Sequence, residues 1–241
     1  MAASKAGRPP SQGAITGTDD FRGPFDKESE HARKSNAILL VAAQAFVHAG
    51  FHHTSLQDIA NRLGISKPTL AYYVGSKEEI LFKCQHTALE HLKLNIRDGR
   101  DATGTGLEQL SEFILHLAEW TGSDFARCLV RCQWDLQDEE ALNHLATERH
   151  LIDAALQKTI ERGLKDGSIR EVHAPLVSAA ILGSLNWIAT WFDQTRSKRT
   201  ARDVGVAFLD LFLSGLKAPV RPKKGVKAQL GVVPKAGGKA S

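Results

Sequence analysis

The segment from Thr54 to Lys77 concentrates the residues whose types and spacing could do chemistry. Hydroxyls, phenols and ammonium groups recur among its polar side chains, and these suit phosphate oxygens and base edges better than bond-making. Thr54 and Ser55 stand at the head of one apolar-periodic stretch, where hydroxyls and free backbone N–H groups favour an anion. Ser66 and Lys67 stand at the head of a second.

Other chemistries find less support. The chain has ten histidines, but His52 with His53, His86 with His91, and His144 with His150 form no i,i+3 or i,i+4 pair. No HExxH or zinc-type Cys/His spacing occurs. No metal and no cofactor is expected. Cys128 and Cys132 lie one helical turn apart and could share a metal or sense oxidants. Without a third ligand at helical spacing, they read as buried thiols. GxSxG, P-loop and GxGxxG signatures are missing, so no catalytic residue is assigned and the chain is not expected to be an enzyme. Asp138, Glu139 and Glu140 read as the first turn of a helix, where the macrodipole favours carboxylates.

The elements that must position Thr54–Lys77 can be read from caps and periodicity. Thr54 or Ser55 can cap a helix whose Leu56, Ile59, Ala60 and Leu63 form one apolar face. Gly64 suits a left-handed helix end, and Ile65 plugs the angle that follows. Ser66 caps the next helix, with Pro68 in its first turn, where a missing N–H costs little. Ser76 and Glu79 form a capping box for a third. This is the layout of a helix-turn-helix, whose second helix can lie in the DNA major groove.

Nearly everything between the two ends reads helical. Expected helices run over about 33–49 (Ile38, Leu39, Ala42, Phe46 and Ala49 inward), 55–63, 67–73, 77–97, 107–121, 124–135, 138–166, 174–194 and 200–217. The stripe Ile80, Leu81, Cys84, Ala88, Leu92 and Ile96 lines the fourth, and a glycine-rich loop at 98–106 ends it. Residues 1–30 and 218–241 read as disordered arms. Lys5 and Arg8 lie in the first; an arm along DNA and an uninvolved tail are both open readings. The lysines of the second add DNA affinity or solubility.

Composition is that of an ordinary globular chain, with 42% hydrophobic and 24% charged residues. No membrane-spanning run of eighteen uncharged apolar residues and no leader core are expected, hence a cytoplasmic protein with no membrane partner. Three cysteines argue against a disulfide framework. The net charge of +4 is unevenly placed. Residues 31–83 carry six basic and three acidic side chains, whereas 84–217 carry fifteen and nineteen. The tail 218–241 has six basic and no acidic ones. Such a balance suits phosphate binding at one end.

The segment resembles the DNA-binding domain of the TetR family of bacterial repressors. The likeness runs through Gly64-Ile65-Ser66, Lys67-Pro68-Thr69-Leu70, Tyr72-Tyr73 and Ser76-Lys77-Glu78-Glu79, preceded by Gly50-Phe51 and Thr54. Ala71 and Val74 depart from it, standing where the family usually has tyrosine and phenylalanine. The resemblance implies an all-α fold, with a three-helix helix-turn-helix domain (31–83) joined to a helical bundle for ligand binding and dimerisation (84–217). It implies DNA contact by Thr54, Ser55, Lys67, Pro68, Thr69, Tyr72, Tyr73 and Lys77. Lys77 would grip phosphate, and Tyr72 and Tyr73 would clamp it. Packing against the first helix is the other reading for Tyr73.

In the second domain Phe113, Leu117, Trp120, Phe125, Cys128, Trp134, Trp187 and Trp191 are the candidate walls of an apolar ligand site. Trp187, Trp191 and Phe192 are similar to the end of TetR members that respond to acyl-CoA thioesters. Arg127 and Arg131 would meet the phosphates of such a ligand or form surface salt bridges. The last two helices, rich in small residues, allow close approach of a second copy. The implied function is a ligand-responsive repressor, acting as a homodimer on a palindromic double-stranded operator. The alternatives are a nonspecific nucleic-acid-binding protein using the lysine tail, and a ligand-binding protein that has lost DNA binding through Ala71.

Overall fold

The computed structural model describes residues 24–100 and 104–216, with side chains for residues 30–93 and 104–215. Lys5, Arg8 and the basic tail lie outside that description, as does the side chain of Ile96. Among the described residues there are nine helices and no strand. They are α1 (Pro24–Ala49), α2 (Leu56–Leu63), α3 (Lys67–Val74), α4 (Lys77–Arg100), α5 (Gly106–Thr121), α6 (Asp124–Arg131), α7 (Glu139–Asp166), α8 (Ala174–Trp191) and α9 (Ala201–Leu216).

Helix α1 starts well before the expected residue 33, so residues 24–30 are helical and not part of an arm. Pro24 needs no N–H at the first position, and no further proline or glycine interrupts the run to Ala49. Ala49, expected inward, is exposed in the last turn. Helices α2 and α3 have eight residues each, below the roughly 12–15 that an isolated helix needs. Tertiary burial must therefore hold them. Ile59, Ala60, Leu70 and Val74 pack with Ile38, Leu39, Ala42 and Phe46 of α1 and Ile80 and Leu81 of α4, all buried. Each large aliphatic or aromatic side chain buried there contributes roughly 1.5–3 kcal/mol.

In the second half, α5 is the central element, packed against α4, α6, α7, α8 and α9. Its start is tied to the end of α7: Asp166 accepts from the Gly106 N–H at 2.7 Å, and Ser168 Oγ accepts from the Leu107 N–H at 3.1 Å. Gly106 lies so close to Gly163 that a Cβ on it would meet the Gly163 nitrogen at 2.1 Å. Helix α6 ends at Arg131, short of the expected 135, because Cys132 leaves helical geometry (φ −107°, ψ 22°) and a turn follows.

Helix α8 corrects one expectation. Its eighteen residues carry no Lys, Arg, Asp or Glu, and by length and composition it could cross a bilayer. Its inner residues Ser178, Ile181, Leu185 and Ile188 are buried against the neighbouring helices. Its outer residues Leu176, Trp187 and Trp191 are exposed, as are Val206 and Leu211 of α9.

Candidate DNA-binding face and ligand cavity

The turn between α2 and α3 is built as its residues demand. Ser55 caps α2, with its Oγ accepting from the Asp58 N–H at 3.2 Å while Asp58 accepts from the Ser55 N–H at 2.9 Å. Gly64 closes α2 in the left-handed region (φ 66°), which a side chain would strain. Ser66 Oγ accepts from the Thr69 N–H at 3.2 Å, and Pro68 sits in the first turn of α3. Ser76 and Glu79 complete the expected box at the head of α4.

These caps sort the candidate contacts. Lys67, Pro68, Thr69, Ala71 and Tyr72 are exposed along α3, while Leu70 and Val74 face the core. The first turn of α3 holds no acidic residue, so its positive end and Lys67 reinforce each other. The head of α2 differs. The Asp58 carboxylate already occupies it, held below the usual carboxylate range by its hydrogen bonds from Ser55. Ser55 stays on the surface beside that negative charge.

Thr54 does not offer its hydroxyl to solvent. It is buried, and its Oγ1 donates to the Gly50 carbonyl at 2.8 Å. Lys77 is also largely engaged. Its Nζ donates to the Phe51 and Thr54 carbonyls at 3.0 and 3.1 Å and lies 4.2 Å from the centre of the Phe51 ring. Two of the three ammonium donors thus hold the α1–α2 connection, and one remains for another partner. Lys77→Met, which keeps the stem but removes the donors, is expected to cost about 1–2 kcal/mol. That corresponds to roughly 2–8 °C in thermal unfolding; an unchanged midpoint would contradict the role.

Tyr73 is half-buried, its ring 4.9 Å from that of His31, and its carbonyl accepts from Ser35 Oγ at 3.4 Å. Tyr72 is 75% exposed and stands edge-on to Tyr73 and His31. His31 and Lys34 of α1 therefore share the face of the two tyrosines. Sequence reasoning missed them, although the basic run His31-Ala32-Arg33-Lys34 was its available signal.

The second domain grips α4 at several points. Gln85 Nε2 donates to the Cys132 carbonyl at 2.9 Å, and Trp120 Nε1 to the Ala88 carbonyl at 2.9 Å. Gln44 of α1 donates to Asp124 of α6 at 2.8 Å. Cys84, Cys128 and Cys132 are all buried and free. Cys84 donates to the Leu39 carbonyl at 3.4 Å. The hydrogen bond with Cys128, and then burial, push the Cys132 thiol well above the ordinary thiol range.

A cavity of about 390 Å³ opens among α4, α5, α6, α7 and α8. Leu89, Leu92, Trp120, Leu129, Ile152 and Leu182 line it with Gln133, Arg149, His150, Asp153 and Asn186. Of the expected walls, Trp120 lines this cavity, Leu117 and Cys128 are buried, and Phe113 and Phe125 are half-buried. The other three tryptophans point elsewhere. Trp134 is 82% exposed in the turn after α6, and Trp187 and Trp191 lie on the outer face of α8. Arg131 donates to the Val47 and Thr190 carbonyls, near the ends of α1 and α8, and lines a second cavity of about 370 Å³ with Arg127 and Trp191. Arg127 pairs with Asp124 at 3.9 Å, and its buried Nε has no hydrogen-bond partner.

Known proteins share both halves of this layout. The model of bacterial regulatory proteins of the tetR family matches residues 38–84, and that of the tetracyclin repressor-like C-terminal domain matches residues 103–216. The TetR family transcriptional regulator PfmR from Thermus thermophilus is 31% identical, with a TM-score of 0.69 over 73% of this chain and 97% of its own. The HTH-type transcriptional repressor KstR2 of Rhodococcus jostii is 23% identical, the match covering 81% of this chain and 97% of the repressor. AibR, solved in complex with isovaleryl coenzyme A and operator DNA, shares the fold at 20% identity (TM-score 0.66, covering 74% and 97%). With an exposed, capped second helix in the turn and both halves matched in chain order, the chain belongs to the TetR family of bacterial transcriptional regulators.

Proposed function

We propose that the protein is a cytoplasmic repressor that binds a palindromic operator as a homodimer and is released by an apolar, acyl-CoA-like ligand. The observation that carries this reading is the outward face of α3. It presents Lys67, Pro68, Thr69 and Tyr72 at a helix start free of acidic residues. Lys67 and Thr69 would meet base edges or phosphate, and Pro68 a thymine methyl. Tyr72 would clamp phosphate, with Tyr73, Ser55 and the third donor of Lys77 beside it. The carbonyl-bound hydroxyl of Thr54 supports the turn instead.

One such helix reads only a few base pairs, so two copies are needed about 34–36 Å apart or a multiple of that. The exposed apolar residues of α8 and α9 support pairing there. The AibR complex and the cavity beside α4 support a thioester ligand. An acyl chain would pack on Leu89, Leu92, Trp120 and Leu182, and Arg149 and His150 would face its anionic head. Such a ligand acts only through its differential affinity for the two states of the protein. Since Gln85 and Trp120 bind α4 to the second domain, α4 is the element whose tilt would change.

Lys67→Ala combined with Tyr72→Ala tests the contact assignment. Both side chains are exposed, so helicity should persist while operator affinity falls by on the order of 2 kcal/mol, about thirtyfold. Unchanged protection in a footprint would refute it. For the ligand, a thermal-shift panel of acyl-CoAs, fatty acids, aromatic compounds and drugs should show stabilisation by acyl-CoAs and release of DNA by the same compounds. Release by none of the thioesters would remove them as inducers.

A further inference from the structure

Beyond DNA and an apolar ligand, we infer that the chain binds a divalent transition-metal ion of the zinc class between α4 and α7, through His86, His144 and Glu148. The donor atoms of these three side chains all lie within 4.8 Å of one another. His86 Nε2 and His144 Nε2 each stand 3.4 Å from the same oxygen, Glu148 Oε1. Two donors bonded to one tetrahedral zinc ion at about 2.0–2.1 Å stand about 3.3 Å apart. Both spacings to Glu148 are therefore those of ligands around a shared ion. Glu90 Oε1, 3.8 Å from His86 Nε2, is the available fourth donor.

A second observation points to a cation independently. Glu148 is buried, and its other oxygen, Oε2, has no hydrogen-bond partner. A buried carboxylate oxygen left so is costly, and a cation held on that carboxylate would offset the cost. Lys93 supplies part of the compensation, donating to Glu148 at 2.9 Å and pairing with Glu90. Two carboxylates against one ammonium leave a negative balance. Lys93 is partly exposed on a flexible stem, so an ion can displace it. The imidazoles are reachable from solvent, with side-chain exposures of 36% and 49%, and Phe82 flanks both rings at 5.8 and 5.7 Å. Imidazole with carboxylate suits zinc, nickel, copper and cobalt better than calcium or magnesium. Sequence spacing alone hides the site, because its ligands come from two helices. Bound metal would tie the helix that follows α3 to α7.

The test uses the full, tag-free chain, stripped with EDTA and titrated with Zn²⁺ against a chromophoric chelator, with Co²⁺ as the spectroscopic probe. One ion per chain is expected. His144→Ala and Glu148→Gln each remove a ligand and should weaken binding by at least the roughly 10- to 100-fold that loss of an outer-shell partner costs, whereas Lys93→Met should tighten it. His144 is exposed, so its variant should keep its helicity by circular dichroism and decides the matter should Glu148→Gln unfold. No stoichiometric binding, affinity unchanged in His144→Ala, or a thiolate-to-cobalt charge-transfer band from the buried cysteines would overturn the assignment.

Discussion

Trp187→Glu combined with Leu211→Glu is expected to give a folded monomer that no longer holds its operator. Both side chains face outward, at 65% and 67% exposure, one on α8 and one on α9. Neither contributes to the buried core, so their replacement should leave the protomer intact. Leu176 and Trp191 are also exposed on α8, and Val206 on α9. Large apolar side chains left in water on both helices mark a candidate contact surface. In a two-fold interface each substitution acts twice. Losing large apolar contacts and bringing carboxylates together should cost at least about 4 kcal/mol, a thousandfold or so in dimer dissociation. Sedimentation at micromolar concentration reads the first effect and a mobility shift the second. A variant that remained dimeric would place the interface elsewhere. A monomer with undiminished operator affinity would remove the need for two recognition helices.

The second large effect concerns the fold itself. Gly106→Ala is expected to destabilise the protein by about 3 kcal/mol or more. The new methyl would meet Gly163 N at 2.1 Å, its Cα at 2.4 Å and the Arg162 carbonyl carbon at 2.9 Å. These are backbone atoms of α7 and cannot rotate away. The helices would have to separate, and the hydrogen bonds that Asp166 and Ser168 make to the start of α5 would go with them. A loss of that size lowers the unfolding midpoint by roughly 6–12 °C in a chain of this length. Gly215→Ala is the control, because nothing lies within 4 Å of its added carbon. Equal midpoints for the two variants would contradict the close crossing of α5 and α7.

What was legible in the sequence was what is local. Ser66, Gly64 and the Ser76–Glu79 pair act on backbone groups within a few residues, and the structure places them as their spacing predicted. At the head of α2 the open choice fell to Ser55, because Thr54 turns inward to the Gly50 carbonyl. Lys77 was harder: its carbonyl partners lie 26 and 23 residues away, and a charged residue at a helix start gives no sign of them. The outward side of Trp187 and Trp191 was hidden for a related reason. Helix α8 is apolar nearly all round, so periodicity could not say which side faces the bundle. His86 and His144 meet only because α4 packs on α7.

The proposed repressor depends on sequence-specific DNA binding by a pair of α3 helices. Its most direct test is a mobility shift of the intact protein on the DNA upstream of its own coding region, with a large excess of random DNA as competitor. The expected complex survives the competitor, occupies two related half-sites in a footprint, and weakens with Lys67→Ala and Tyr72→Ala. Binding lost equally to any DNA would contradict it in favour of a nonspecific role for the lysine-rich tail. No binding at all would mean that the face carrying Ala71 no longer reads DNA.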